Sequence, residues 1–253
     1  FGSLAGEAMM FIGQVREHDA GGNGGWITAA GFRKATRAIR LAGKFNLPLV
    51  TLVDTAGARP ALQDEEAGLG AAMAECMATM LAVPSPTIAV ITGEGNSEAA
   101  VAMAVGDRVL MLDNAVYEVV RPEDAAAILS GDAVEIAERL RLTSHDCLRL
   151  GIVDQTVPEP GDGAHTDHGE AAMLLRRSIL RTLARIQRER GKRRVERRYA
   201  RYRQIGSTRS WVRGRLERQL AHLQDRAGGM VDRLRGRTLR RRPDFGDERD
   251  IPV

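Results

Sequence analysis

The chain has 253 residues, of which 43% are hydrophobic, 28% charged and 4% aromatic, and its net charge is +4. This composition excludes a disordered chain, a collagen and a disulfide-stapled scaffold, since two cysteines suit a reducing compartment better than a secreted domain. No apolar run reaches the ~18 residues that a membrane helix needs, and no export leader is recognisable, so we expect a cytoplasmic protein. Phe1 opens directly into strand-like residues, so we expect an N-terminal part to be missing.

Positive and negative charges are concentrated in different parts of the chain. Residues 1–175 carry a net charge of −12 and residues 176–253 a net charge of +16. We therefore predict an acidic globular domain over 1–190 and a basic helical extension over 191–253. Such an extension is typical either of a solvated helix or of a segment that binds an anionic partner such as nucleic acid.

The extension offers two further features. Sparse aromatic residues lie between its basic ones, which is weak support for nucleic-acid binding of the kind that falls steeply with salt: Tyr199, Tyr202 and Trp211. Leucines at helical spacing predict an amphipathic helix: Leu216, Leu220 and Leu223.

Hydrophobic periodicity predicts strands that alternate with helices. In chain order, the pattern predicts a strand over 8–14, a glycine-rich loop over 17–25, a helix over 28–45, a strand over 49–54, a helix over 65–83, a strand over 87–92, a turn over 93–95 and a helix over 97–105. It continues with strands over 108–112 and 116–120, helices over 122–129, 132–141 and 144–151, a strand over 152–157 and a helix over 171–187. This order indicates an α/β fold with a mainly parallel sheet.

Two strand-to-helix corners, at 54–60 and 93–100, are rich in small residues. Ligands of open α/β sheets bind beyond the carboxyl ends of the strands. A glycine turn at a helix start leaves backbone N–H groups unpaired, which suits an anion or a carbonyl oxygen that becomes negative. Most such turns carry glycine for backbone geometry alone. The spacing by itself therefore does not decide between a binding site and a purely structural turn.

Side-chain chemistry is sparse. There is no Walker A motif, no G-x-S-x-G elbow and no G-x-G-x-x-G after a strand. A loop gathers His165, His168 and Asp167, but convergent ligands are too few, so we predict no metal site. Cys147 is expected to be a small core residue. Backbone-driven chemistry, or none, is the consequence.

Several motifs between about residues 1 and 200 resemble one known family. They are Phe32-Arg33-Lys34-Ala35 and the segments 42–49, 54–58, 105–112, 117–129 and 157–160. They resemble the carboxyltransferase α subunit of bacterial acetyl-CoA carboxylase, which typically reads D-T-P-G-A-Y-P-G at 54–61, V-G-D-R-V-L-M-L at 105–112 and Y-S-V-I-S-P-E-G at 117–124. The run 201–206 resembles the tail of fused actinobacterial β/α chains, so this chain is expected to be the α portion of such a protein.

The resemblance implies a crotonase-like (ClpP/crotonase) ββα spiral. It implies transfer of a carboxyl group from carboxybiotin, held on a biotin carboxyl carrier protein, to acetyl-CoA or another acyl-CoA, giving malonyl-CoA. Biotin is thus not attached to this chain, the coenzyme A thioester is a substrate, and zinc is expected on a partner. The implied partners are a carboxyltransferase β-type subunit and the carrier, in a hetero-tetramer or larger assembly.

The resemblance also implies site residues. Backbone N–H groups of Glu98 and Ala99 would form the oxyanion hole. The implied biotin- and substrate-binding positions are Gly57, Ala58, Arg59, Gly95, Asn96, Ser97, Pro122 and Glu123.

This chain departs from the family pattern at the corners. The family reads G-E-G-G-S-G-G-A at 93–100, so that Glu98 and Ala99 replace a glycine pair, and Arg59 replaces a tyrosine. Cβ atoms at positions 98 and 99 leave less room for a ligand to approach the backbone N–H groups. The carboxylate of Glu98 also competes with an anionic ligand for the positive end of the helix. Two alternatives follow: a catalytically impaired structural subunit, or a crotonase-like hydratase or decarboxylase in which Glu98 supplies the carboxylate.

Overall fold

The computed structural model describes residues 1–16 and 24–205. The strands of this part are β1 (Gly2–Leu4), β2 (Glu7–Gly13), β3 (Trp26–Ile27), β4 (Leu49–Thr55), β5 (Gly57–Ala58), β6 (Thr87–Asn96), β7 (Arg108–Leu112), β8 (Val116–Glu118) and β9 (Gln155–Val157). The main sheet has the order β1-β2-β4-β6-β7-β9, with β8 beside the far end of β6, and β3 pairs with β5. Among these pairs β1–β2 alone is antiparallel, so the predicted α/β class with a mainly parallel sheet is confirmed.

Helices fill the connections between strands. They are α1 (Ala29–Lys44), α2 (Leu62–Glu66), α3 (Leu69–Ala82), α4 (Ser97–Ala104), α5 (Pro122–Leu129), α6 (Ala133–Leu140), α7 (Ser144–Leu150), α8 (His168–Ile186) and α9 (Gly191–Gln204). Short polar side chains begin several of them: Thr28 accepts from the backbone N–H of Gly31 at the start of α1 (3.0 Å). In the part of the chain that the structure describes, no helix combines the length and apolarity that crossing a bilayer demands.

The core lies around the two central strands. Leu49, Val50 and Val53 of β4 are fully buried, as are Ile88 and Ile91 of β6. Continuous apolar strands of this kind are covered on both faces, as the sequence indicates. Because β4 and β6 are parallel, their carboxyl ends meet at one edge of the sheet, and that edge carries both corners.

Two predicted elements differ from the structure. The helix predicted over 65–83 is divided into α2 and α3, because Gly68 between them has a left-handed backbone (φ +74°) that glycine adopts without steric cost. The turn predicted over 93–95 is instead the last part of β6, since Gly95 pairs with Thr55.

The first turns of the basic extension are part of the folded body. The compact unit extends to Arg203, and α9 buries Arg194 and Arg198. The boundary predicted at residue 190 therefore precedes a helix whose arginine side chains bond to groups of the folded body. Trp211 and the predicted leucine helix lie outside the described residues.

Candidate functional site

The two glycine-rich corners are in contact. A Cβ added at Gly57 would lie 3.2 Å from Oγ of Ser97 and 3.2 Å from the Trp26 ring. Gly57 also has φ +123°, a backbone angle that residues with a Cβ rarely adopt. Glycine is thus required at this position by the close approach of the second corner. The structure brings together the predicted residues of both corners.

The start of α4 has no side-chain cap. The N-cap residue Asn96 makes no capping hydrogen bond with its side chain. The N–H groups of Glu98 and Ala99 lie in the first turn of the helix, before its first i→i−4 hydrogen bond, and within residues 1–16 and 24–205 no side chain accepts from them. Together with the helix dipole, they form a positive end that favours an anionic oxygen.

The two substituted glycines face different surroundings. Ala99 is fully buried, so its methyl group packs in the core. Glu98 is exposed and lines a cavity of about 180 Å³ together with Ala58, Arg59 and Pro60 of the first corner. Of the two departures, only Glu98 therefore places a side chain where a ligand would enter.

Arg59 is held in place by a buried acid. Its Nε donates to Asp64, whose carboxylate is 4% exposed and also accepts from the backbone N–H of Ala29 (3.1 Å). The hydrogen bond from Arg59, followed by that from Ala29, lowers the pKa of Asp64, although burial opposes this. The Arg59 guanidinium is thus anchored at the cavity wall by the same carboxylate that caps α1.

The family assignment rests on comparison with known proteins. The family model described as acetyl co-enzyme A carboxylase carboxyltransferase-like matches residues 1–206. The chain belongs to this family. The carboxyl transferase subunits beta/alpha of Salinispora arenicola are 46% identical over 217 residues, and the carboxyl transferase subunit alpha of a Methylobacterium species is 42% identical over 191 residues.

Coverage of these carboxyltransferase relatives is partial. The alignments cover 83% and 73% of this chain, but they span 38% of the Salinispora protein and 60% of the Methylobacterium one. The chain therefore corresponds to part of each relative.

Solved structures agree on the fold. Transcarboxylase 12S superposes with a TM-score of 0.64 at 21% identity, covering 74% of this chain and 34% of that one. A Pseudomonas malonate decarboxylase hetero-tetramer in complex with malonate gives a TM-score of 0.68 at 16% identity, covering 88% of both chains. At these identities the likeness concerns the fold, and it confirms the crotonase-like architecture predicted from the resemblance.

Two further predicted site residues of this carboxyltransferase-family chain lie at the start of α5. Pro122 and Glu123 form the first turn of α5 and are not among the residues that line the 180 Å³ cavity.

Asp167, which the sequence groups with His165 and His168, caps α8 by accepting from the N–H of Glu170 (2.9 Å). Among the described residues no three potential ligands are close enough to hold a metal ion.

Sequence reasoning missed a buried acid beside the second corner. Glu118 of β8 pairs in register with Asn96 and is 8% exposed. Among the described residues, burial and nearby charges act on its carboxyl group, and no hydrogen bond does. Burial, and then the nearby charges of Glu94 and Glu123, raise the pKa of Glu118. The sequence could have indicated Glu118 as a departure from the family pattern, because the family typically has serine at this position.

Glu118→Gln is expected to stabilise the chain at neutral pH. Both folded and unfolded states are protonated below the unfolded pKa of about 4.3, so the substitution changes little there. As the pH rises above that value, Glu118 ionises freely in the unfolded chain, whereas in the folded chain it must keep its proton or become a buried charge. The parent therefore loses stability that the glutamine variant keeps. Thermal unfolding from about pH 4 to pH 8 measures this difference.

The matched control is Glu138→Gln, which removes an exposed acid of α6 that does not affect the pKa of Glu118 and should change stability little. A Glu118→Gln variant that melts below the parent at every pH would contradict the interpretation.

Proposed function

We propose that this chain is the carboxyltransferase α-type part of a biotin-dependent acyl-CoA carboxylase, acting on acetyl-CoA or another acyl-CoA. The observation that carries the proposal is the first turn of α4, where no side chain caps the N–H groups of Glu98 and Ala99, in contact with Gly57 through Ser97. Membership of the carboxyltransferase family supports it.

Backbone donors suffice for this chemistry. The reaction breaks the C–N bond that holds the carboxyl group of carboxybiotin and the C–H bond at the α-carbon of the thioester. It forms a C–C bond at that carbon, and the proton passes to the ureido nitrogen. Negative charge develops first on the ureido oxygen and then on the enolate oxygen. N–H groups fixed at a helix start stabilise such an oxygen without moving, which is why a side-chain triad is unnecessary.

Partners complete the proposal. Carboxybiotin, which supplies the activated carboxyl group, would arrive on a carrier protein, and the N–H groups at the cavity wall fit its ureido oxygen. The chain spans only part of its relatives, and three of them are named as beta/alpha proteins, so a β-type partner or β half would supply the rest of the site. Zinc on that partner, a cytoplasmic location and a hetero-tetramer or larger remain predictions.

A second candidate is a structural subunit that holds the β partner and the carrier. The observation in its favour is the Glu98 carboxylate at the cavity, which repels a developing anion. Nucleic-acid binding loses support, because Arg194, Arg198 and Arg201 donate to groups of the folded body instead.

Carboxyl transfer by the complex with the β-type partner tests the proposal. Glu98→Gly is expected to raise kcat about 2- to 5-fold, the equivalent of the roughly 0.3–1 kcal/mol that a charge at an exposed helix N-terminus contributes. Ala99→Gly is the matched control and should give no gain, because its methyl group packs in the core.

The parent complex and the variants are each measured for carboxyl transfer and for enoyl-CoA hydration. No transfer in the parent together with none in Glu98→Gly would reject the enzyme and favour the structural subunit. Hydration without transfer would favour the hydratase.

A further inference from the structure

Arg16, just after β2, connects the two corners. Its Nη1 donates to Oδ1 of Asp54 (2.8 Å) and its Nη2 donates to Oε2 of Glu94 (2.9 Å). Asp54 follows the buried part of β4, and Glu94 precedes the start of α4. One guanidinium thus spans the ends of both strands that lead to the candidate site.

The register between these strands explains why a connection is needed. Val53 pairs with Ile91 and Thr55 pairs with Gly95, so that residues 92–94 of β6 lie opposite Asp54 alone. A bulge of this kind leaves backbone groups without ladder partners and redirects the strand. Here the backbone N–H of Glu94 donates to Oδ1 of Asp54 (3.0 Å). The aspartate side chain therefore replaces the missing strand partner.

Gly93 makes room for that carboxylate. A Cβ at position 93 would lie 2.6 Å from Oδ1 of Asp54, closer than real Cβ contacts allow. Gln14 completes the arrangement, since its Oε1 accepts from the backbone N–H of Asp54 (3.1 Å). Asp54, Gly93 and Glu94 all keep the residues of the family pattern, although the glycine pair beside them does not.

The charge and fork geometry of arginine suit this position. The Arg16 side chain is 25% exposed and faces two acids that are 34% and 39% exposed. Burial alone would lower the pKa of Arg16, but its hydrogen bonds with Glu94 and Asp54 raise it, so the cation is firmly retained. A lysine would keep the charge but cannot donate in two fixed directions.

We propose that Arg16 is a positioning residue for carboxyl transfer, which fixes the bulged end of β6 so that the N–H groups of Glu98 and Ala99 stay directed at the Gly57 corner. This inference rests on the proposed function. The ion pairs themselves stabilise little at such exposure. Their effect is geometric, because a misplacement of about 1 Å at a reacting centre costs on the order of 10²-fold in rate.

The test compares Arg16→Met and Arg16→Lys in the complex with the β-type partner. We expect Arg16→Met to lower kcat about 10²-fold with the KM for acyl-CoA nearly unchanged, and Arg16→Lys to recover little of the loss. Arg40→Met is the matched control, because it removes another arginine–glutamate pair, with Glu75 (2.6 Å), between α1 and α3. It should leave kcat unchanged.

Amide hydrogen exchange over 93–100 gives a readout that does not depend on activity. Arg16→Met should speed exchange there, whereas Arg40→Met should not. Unchanged exchange in Arg16→Met, or full recovery of kcat by Arg16→Lys, would overturn the positioning role. If exchange responds as expected but the parent complex transfers no carboxyl group, the proposed function fails and the structural connection stands.

Discussion

Arg198→Met is expected to lower the free energy of unfolding by about 3–5 kcal/mol, because it removes both guanidinium hydrogen bonds of the buried Asp107 and leaves that carboxylate only the more distant Nε of Arg194 (3.9 Å). The Arg198 side chain is fully buried, and its Nε and Nη2 donate to Asp107 (2.9 and 2.8 Å). The remaining donors of the guanidinium contact groups between α3 and β6: the carbonyl oxygens of Met80, Val83 and Ser85 and the hydroxyl of Thr87. Chemical denaturation of the parent and the variant measures the loss.

Arg197→Met provides the matched control for this substitution. Arg197 precedes Arg198 in α9, carries the same charge and pairs with Glu189 (2.9 Å), but its side chain is 46% exposed. Its loss should cost less than about 1 kcal/mol. Equal destabilisation by the two variants would show that the net charge of α9 matters and the buried pair does not. A loss of 3 kcal/mol is a large share of the roughly 5–15 kcal/mol that stabilises a domain.

The contact between Asp107 and Arg198 shows what sequence reasoning could reach. The segment 105–112 was recognisable as a family motif, and the strand within it is β7 as predicted. The partner of Asp107 lies 91 residues away in a segment that reads as a run of arginines, and nothing in that run distinguishes Arg198 from its neighbours. Contacts between distant segments depend on tertiary packing, which local periodicity does not contain.

The candidate site, too, could be predicted from the sequence only in part. The corners at 54–60 and 93–100 could be predicted, because each follows an apolar strand and precedes a helix. The register shift opposite Asp54 could not, since an apolar run does not show where pairing skips residues. Arg16 was missed for the same reason, because its importance comes from the strands beside it, whereas Glu118 could have been found as a departure from the family pattern.

Strand β6 connects the buried pair that stabilises the fold with the candidate functional site. Asp107, besides binding Arg198, accepts from the backbone N–H of Thr87 (2.8 Å), the first residue of β6. The same strand ends at Asn96, immediately before the first turn of α4, which no side chain caps. The buried pair thus anchors one end of β6, and the contacts of Arg16 hold the other. We therefore expect Arg198→Met to act on stability and the corner substitutions to act on rate.

Gly57→Ala is expected to lower kcat for carboxyl transfer about 10²- to 10³-fold, the range for removing one donor from an oxyanion hole. The added methyl group would lie 3.2 Å from both Ser97 and Trp26, at a backbone angle that alanine disfavours. Relief of this contact must separate the two corners, because Trp26 is itself held against β5 by strand pairing. Steady-state kinetics of the complex with the β-type partner measure the effect.

Gly6→Ala separates the steric effect from backbone strain. Gly6 also has a left-handed backbone (φ +83°), but a Cβ there would meet nothing within 4 Å. It lies in the turn between β1 and β2, at the edge of the sheet, so the alanine should cost some stability and leave kcat unchanged. If Gly57→Ala and Gly6→Ala have the same kcat, contact between the corners is not required for catalysis. A selective loss in Gly57→Ala would instead show that the N–H groups of α4 act only while the first corner remains against them.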